Sequence, residues 1–135
     1  MTPHSQACPC GKTAGKRPLS YEECCGRYLE AYQHTPAPDA ESLMRSRYSA
    51  YVLEREPYLL ATWAPSKRPA SLDFDPAMKW LGLSVRAVAS TSSDHAEVEF
   101  VARSRVNGRG QRMHERSRFI RHDGRWFYLD GAMLG

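Results

Sequence analysis

Long hydrophobic runs are missing from this chain of 135 residues. No segment approaches the ~18 to 20 consecutive apolar residues that a membrane-spanning helix needs. The first residues, MTPHSQACPCGKTAGKRP, also lack the apolar stretch of a secretory signal. These two absences predict a cytoplasmic protein with no membrane partner.

A large excess of charge of one sign is missing as well. Lysine and arginine total 19 against 15 aspartate and glutamate residues, which gives a formal net charge of +4. With 41% apolar and 25% charged residues, the composition is that of one ordinary globular domain and excludes a disordered or fibrous chain. Such a charge permits acidic partners but does not require a polyanion.

Cysteine is absent after residue 25, and all four cysteines lie within the first 25 residues. Cys8 and Cys10 occur in CPCG, and Cys24 and Cys25 follow in ECCGRY after 13 intervening residues. Two close pairs separated by a loop are typical of a tetrahedral zinc site, and a reducing cytoplasm favours zinc over two disulfides or four free thiols. Four thiolates leave no open position on the ion, so we expect the zinc to be structural. His4 could replace one ligand, although a terminal histidine is more often solvated.

A capping box marks the start of the first predicted helix. Ser20 and Glu23 match the S-x-x-E pattern, so we expect a helix from residue 21 to about residue 33. The second cysteine pair would lie in its first turns. Tyrosines on one side of this helix would pack the zinc loop against the rest of the protein.

Two further helices are expected before the strands. Asp39 follows two prolines and caps a helix over residues 40–55, and a short third helix comes next. In the second helix, the 3.6-residue period gives a buried stripe beside Arg47, whereas Arg45 and Ser49 point away from it. The stripe consists of Met44, Tyr48, Tyr51 and Val52.

After residue 80 the apolar period changes to two, which predicts strands. Turn signals at 107–110 and at 123–124 join the last three strands in an antiparallel meander. One face of this meander carries Val98, Phe100, Glu115, Ser117 and Phe119. The other face pairs Glu97 and Glu99 with Arg112, Arg116 and Arg118.

A two-residue turn at 123–124 extends the apolar face onto the last strand. This inner face lies beneath the helix that carries Arg47. A shift of one residue in the pairing of the last strand would turn Phe127 and Leu129 toward the inner face, in place of the three residues named next. The residues added by the turn are Trp126, Tyr128 and Asp130, which join Glu115 and Ser117.

Two interpretations of the inner-face carboxylates stay open. In the first, Arg47 pairs with Glu115 or Asp130, and the hydroxyl of Tyr48 or Tyr128 completes a structural network. In the second, the face lines a pocket of the isomerase or dehydratase type. There Asp130 or Glu115 would be the general base, and Tyr48 or Tyr128 would donate to an oxyanion.

The outer sheet face is rich in arginine, with eight between Arg103 and Arg125. A solvated face is the usual interpretation of such a run, and Glu97 and Glu99 neutralise part of it. No RNA-stacking motif accompanies the arginines. Binding of nucleic acid or of the ribosome is therefore the weaker hypothesis.

Two sets of residues resemble known families. CPCG followed by YEECCG resembles the SEC-C motif, the zinc-binding segment named after the C-terminus of the preprotein-translocase ATPase SecA. The segments LMRSRYSAY at 43–51, TW at 62–63, HERSRF at 114–119 and RWFYLDG at 125–131 together resemble the YchJ-like family of small bacterial proteins. This resemblance implies a SEC-C segment joined to a nuclear-transport-factor-like, ketosteroid-isomerase-like cone with no established biochemical function.

We therefore predict an α+β protein in which N-terminal helices pack on a curved antiparallel sheet of about four strands or more. Residues 1–33 would form the SEC-C-like zinc segment and residues 34–135 the ketosteroid-isomerase-like domain. The resemblance to SEC-C segments that engage chaperones or ribosomes favours a non-enzymatic docking module with a protein partner. A pocket enzyme or a small-ligand binder is the alternative, and cones of this kind often pair through the sheet as homodimers.

Overall fold

The helices of this protein precede its main sheet along the chain. The computed structural model describes residues 6–134, so His4 lies outside the described residues. Within them, a short hairpin and three helices come first, and four long strands follow. The elements are β1 Thr13–Ala14, β2 Arg17–Pro18, α1 Gly26–Leu29, α2 Ala40–Val52, α3 Glu56–Ala61, β3 Met78–Ser92, β4 His95–Val106, β5 Arg109–His122 and β6 Arg125–Met133.

The long strands form one antiparallel sheet in the order β3-β4-β5-β6. Helix α2 packs against β3, β4 and β6, and the main core lies between this helix and the sheet. Both the predicted α+β class and the predicted meander are therefore confirmed. No helix within residues 6–134 is long and apolar enough to span a membrane.

The first helix is much shorter than predicted. Only Gly26–Leu29 is helical, and the second cysteine pair lies in turns before it. The expected capping box is present, since the Ser20 N–H donates to Glu23 Oε1 at 2.9 Å and the Glu23 N–H donates to Ser20 Oγ at 3.3 Å. The capping box is followed by a wide turn instead of a helix, because the Gly26 N–H donates to the Tyr21 carbonyl, five residues earlier, at 2.7 Å. A Cβ on Gly26 would overlap the Tyr21 carbonyl and ring, so this turn needs glycine.

Helix α2 begins where the sequence predicts and ends earlier. Asp39 Oδ1 accepts from the Ser42 N–H at 2.7 Å, which caps the first turn. The helix ends at Val52 instead of residue 55. Glu54 adopts a left-handed backbone conformation with φ of 56°, which a right-handed helix cannot include.

Helix α2 is buried on two sides. Arg47 and Tyr48 face the sheet and are 5% and 4% exposed. Arg45 and Ser49 point away from the sheet, as expected, but Arg45 is only partly exposed. Ser49 is fully buried because the cysteine loop packs on this side of the helix. The helix therefore lies between the sheet and the cysteine loop.

The register between β4 and β5 confirms the predicted faces of these strands. Val98 lies opposite Ser117, and both side chains are buried. On the other face, carboxylates lie opposite arginines, as expected for favourable cross-strand pairs. These pairs are Glu97 with Arg118 and Glu99 with Arg116.

A β-bulge in β6 makes the predicted placement of Asp130 wrong. Phe119 pairs with Tyr128, but the preceding Arg118 pairs with Asp130, so Leu129 is an extra residue. An extra residue reverses the alternation of faces in the bulged strand. Asp130 consequently lies on the outer face, where the Arg118 guanidinium donates to its two oxygens at 2.6 and 2.5 Å.

Replacing Asp39 by alanine removes the side-chain acceptor at the start of α2. We expect the free energy of unfolding, measured by urea denaturation, to fall by about 1 kcal/mol. Asp39→Asn keeps a side-chain oxygen and should lose only a fraction of this amount. Equal losses in the two variants would contradict the capping role.

Candidate functional site

The four cysteine sulfurs form one compact cluster. All lie within 4.8 Å of one another, and all four residues are buried. A tetrahedron with metal–sulfur bonds of about 2.3 Å has edges of about 3.8 Å, and the Cys10 and Cys24 sulfurs are 3.6 Å apart. No disulfide joins these cysteines. The predicted convergence of Cys8, Cys10, Cys24 and Cys25 is present, and the cluster is a candidate metal site.

Backbone hydrogen bonds hold the loop that carries the first cysteine pair. The Cys8 N–H donates to the Leu19 carbonyl at 2.9 Å, and the Leu19 N–H donates to the Lys12 carbonyl at 3.0 Å. Gly11 turns the chain directly after Cys10 with φ of 78°, a conformation that favours glycine. The Gly11 N–H also donates to the Cys8 carbonyl at 3.1 Å, which closes a turn between the two cysteines.

Helix α2 supplies polar groups around the cluster. Ser49 Oγ lies 3.5 Å from the Cys8 sulfur. Arg45 Nη1 donates to the Cys10 carbonyl at 3.2 Å and lies 3.9 Å from the Cys10 sulfur. Glu41 Oε2 accepts from Arg45 Nε at 2.9 Å and so orients the guanidinium. Groups in such positions orient the ligands of a metal and offset their charge.

The sequence pattern did not indicate Arg45 and Ser49 as neighbours of the cysteines. The available signal was a row of small residues, Ser42, Ser46 and Ser49, on the side of α2 opposite the apolar stripe. Small side chains allow another segment to approach a helix closely. Ser46 and Ser49 are both fully buried.

The four thiols cannot all ionise without a cation. Hydrogen bonds from the other sulfurs, Cys10 first, lower the pKa of Cys8, and a hydrogen bond with Cys24 lowers the pKa of Cys10 to about 7. Hydrogen bonds with Cys10 raise the pKa of Cys24 and of Cys25. Four like charges at this spacing repel one another strongly, so complete ionisation requires a positive ion among them.

A cavity of about 280 Å³ lies between α2 and the inner face of the sheet. Its walls are mainly aromatic and apolar. Three polar side chains, Arg47, Glu115 and Ser117, also border it. The aromatic residues are Tyr48, Tyr51, Trp63, Trp80, Phe100, Phe119 and Tyr128.

Arg47 brings a positive charge to this cavity. Its Nη1 donates to the Leu59 carbonyl at 2.8 Å and to Thr62 Oγ1 at 2.7 Å. Its guanidinium carbon lies 4.9 Å from the centre of the Trp63 ring and 4.7 Å from that of Tyr128. Each cation–π contact is worth about 1 to 2 kcal/mol when desolvated. Because burying a charge costs several kilocalories per mole, these contacts compensate only part of the penalty.

The predicted ion pair of Arg47 is wrong. No carboxylate oxygen of residues 6–134 lies within 4.0 Å of its guanidinium. Asp130 lies on the outer face, where the hydrogen bond from Arg118 lowers its pKa. Glu115 is on the inner face, but its carboxylate accepts from Ser117. One of the two carboxylates in the enzymatic interpretation is therefore absent from the cavity.

The Glu115 carboxylate packs against Gly131, which has no side chain in its way. Its Oε2 accepts from Ser117 Oγ at 2.6 Å and from the Tyr128 hydroxyl at 3.4 Å. Burial, and then the charge of Glu115, raise the pKa of Tyr128, so its hydroxyl stays a donor. A Cβ on Gly131 would overlap the Glu115 carboxylate. Gly131 faces inward because of the β6 bulge.

The other predicted site residues fall in two places. Tyr48, Ser117 and Tyr128 line the cavity, as predicted. Trp126 lines a neighbouring depression instead, and the Arg121 guanidinium lies 5.5 Å from its ring centre. Trp126 therefore shares the inner face with Tyr128, as predicted, but it is not among the residues that line the cavity.

Eight of the residues that line the cavity were not among the predicted site residues. They are Met44, Tyr51, Trp63, Trp80, Phe100, Ala102, Met113 and Phe119. The signal for Met113 was its alternation with Glu115 and Ser117 on β5, which places all three on the inner face.

Both parts of this structure have counterparts among known proteins. The family model described as "YchJ, middle NTF2-like domain" matches residues 39–131. A UPF0225 protein from Polaromonas sp. is 60% identical over 126 residues, which cover 92% of this chain and 91% of the relative. A UPF0225 protein from Methylibium petroleiphilum is 58% identical over 127 residues, which cover 93% and 88%.

Two solved structures share the fold over most of the chain. The solution structure of a SEC-C motif containing protein from Rhodopseudomonas palustris is 34% identical, with a TM-score of 0.80, and covers 96% of this chain and 100% of that one. The crystal structure of a SEC-C motif containing protein from Psychrobacter arcticus is 32% identical, with a TM-score of 0.81. It covers 100% of this chain and 86% of that one.

Helices on an antiparallel sheet, together with a cluster of four cysteines, define an NTF2-like α+β protein with a SEC-C-type motif. The matches to sequences and structures agree with this class. The chain belongs to the YchJ-like UPF0225 family, which confirms the predicted resemblance. The boundary at residues 33 and 34 stays a prediction.

Gly131→Ala would place a methyl group in the space of the Glu115 carboxylate. We expect the free energy of unfolding to fall by about 1 to 3 kcal/mol, as for other overpacked sites. Gly110→Ala is the matched control on β5, because a Cβ there meets no atom within 4 Å. Equal losses of stability in urea denaturation would contradict the close packing of Glu115 on Gly131.

Proposed function

We propose that this protein is a zinc-stabilised protein-interaction module. The proposal rests on the four buried sulfurs that converge at the base of an exposed β1–β2 hairpin. A closed ion site would hold the hairpin in one orientation on α2. The tip of the hairpin would then be available to a partner at little cost in conformational entropy.

Zinc suits this set of ligands better than other common metal ions. Thiolates are soft ligands and bind Zn²⁺ in tetrahedral sites, whereas Ca²⁺ and Mg²⁺ prefer oxygen ligands. A reducing cytoplasm would keep the thiols available for the ion. Four sulfurs complete the tetrahedron, so the ion would bind no water and would have a structural role.

Zinc content tests the first part of this proposal. We expect protein purified without chelators to contain one zinc ion per chain by elemental mass spectrometry. Cys24→Ser should lose the ion and lower the melting temperature by about 10 °C or more, because structural zinc contributes several kilocalories per mole. Thr13→Ser, in the exposed strand β1, should keep the zinc ion and the wild-type melting temperature. Full zinc content in Cys24→Ser would overturn the assignment.

The surface that the hairpin offers is basic. Lys12, Lys16 and Arg17 are exposed, and Gly15 forms the turn between them with φ of 64°. Arg17 pairs with Glu23 at 2.7 Å. In the described part of the chain, no carboxylate oxygen lies within 4.0 Å of either lysine ammonium. This charge favours an acidic protein surface as the partner.

Charge reversal on the hairpin tests the docking role. Wild-type protein and Lys12→Glu/Lys16→Glu would be used to capture partners from a bacterial lysate, and captured proteins would be purified for direct binding measurements. We expect a partner whose affinity falls about tenfold or more in the variant, while zinc content is unchanged. Lys79→Glu/Arg86→Glu makes the same change of charge on β3 and should bind normally.

Two results would contradict docking through the hairpin. One is equal binding of every captured partner by both charge-reversed variants. The other is loss of all captured partners after nuclease treatment, which would indicate binding to nucleic acid instead. The second result would be supported further by a steep dependence of binding on salt concentration.

A further inference from the structure

The guanidinium of Arg47 is the feature of the cavity that the zinc and docking proposals leave unused. The residue is 5% exposed, and it borders the cavity from helix α2. Its Nη1 is occupied by Leu59 and Thr62, which are neutral acceptors. Its positive charge therefore has no partner carboxylate within 4.0 Å among residues 6–134.

This charge persists at every physiological pH. Burial lowers the pKa of Arg47, but an arginine side chain stays protonated in proteins because its ordinary pKa is far above neutrality. The guanidinium carbon contacts both the Trp63 and the Tyr128 ring, at 4.9 and 4.7 Å from their centres. The side chain is thus fixed in position before any ligand arrives, which lowers the entropic cost of binding.

The neighbouring Glu115 restricts what could bind to Arg47. Its Oε2 already accepts from Ser117 and Tyr128, and Gly131 lets the carboxylate sit back against β6. A second ligand carboxylate near Glu115 would meet a like charge. The cavity therefore suits a ligand with one carboxylate better than a dicarboxylate.

The rest of the cavity accommodates an apolar body. Its volume of about 280 Å³ lies close to the lower end of small-molecule pockets, which span about 300 to 1,000 Å³. Met44, Trp80, Phe100 and Met113 line it with apolar surface. We propose that this cavity binds a small apolar monocarboxylate, with the carboxylate at Arg47 and the apolar body against these four residues.

Matched neutral ligands test the role of charge in the unaltered protein. Phenylacetate and hexanoate would be titrated beside phenylacetamide and hexanamide, which have nearly the same shape without the charge. Binding would be followed by NMR of ¹³C-labelled methionine methyl groups. We expect saturable shifts at Met44 and Met113, in the cavity, and none at Met78 and Met133, outside it.

Each acid should bind about tenfold or more tightly than its amide, because only the carboxylate carries a negative charge and can form an ion pair with arginine. Equal affinities for acid and amide would overturn the proposal. So would the absence of saturable shifts, or shifts confined to Met78 and Met133. These outcomes are decided with the wild-type protein, so they do not depend on the folding of a variant.

Two variants separate the contribution of the Arg47 charge to binding from that of the cavity volume. Arg47→Met should remove the preference for acids over amides, and retention of that preference would contradict the assigned role. Ala102→Leu keeps Arg47 but fills the cavity, so it should abolish binding of both ligand types. Arg118→Met, on the outer face, is the control and should bind phenylacetate with wild-type affinity.

Discussion

The packing of helix α2 on both of its sides supports the whole molecule. One side carries Tyr48 and Arg47 into the core above the sheet. The other side meets the cysteine loop, and the small side chain of Ser49 lets the Cys8 sulfur approach within 3.5 Å of its hydroxyl. The cysteine cluster and the cavity therefore share one structural support. A helix with large side chains on both sides could not be enclosed in this way.

Two arginines on this helix bring positive charge to two different buried environments. Arg45 and Arg47 are two positions apart, so the helical repeat of 3.6 residues places them on nearly opposite sides. Arg45 lies beside the Cys10 sulfur, where it would offset the negative charge of a thiolate. Arg47 lies beside the Trp63 and Tyr128 rings at the cavity. The same residue type thus supports a candidate metal site on one side and a candidate anion site on the other.

The polar chemistry of the cavity depends on one irregularity in β6. The bulge at Leu129 turns Asp130 outward to Arg118 and leaves Gly131 facing Glu115. An unbroken strand would have brought two carboxylates to the inner face, at the cost of repulsion between them. The bulge leaves a single carboxylate there, held by hydroxyl donors, and so makes the cavity less suited to chemistry by a pair of acids.

The sequence by itself determined the features that depend on neighbours along the chain. The cysteine spacing, the Asp39 cap and the two faces of β4 and β5 were predictable, because ligand spacing, capping and strand alternation are local properties. Only the tertiary structure decided the short length of α1, the outward position of Asp130 and the neutral partners of Arg47. The last two of these depend on contacts between separate segments of the chain, where packing overrides local periodicity. A strand pattern read residue by residue contains no signal for an extra residue that pairs with nothing.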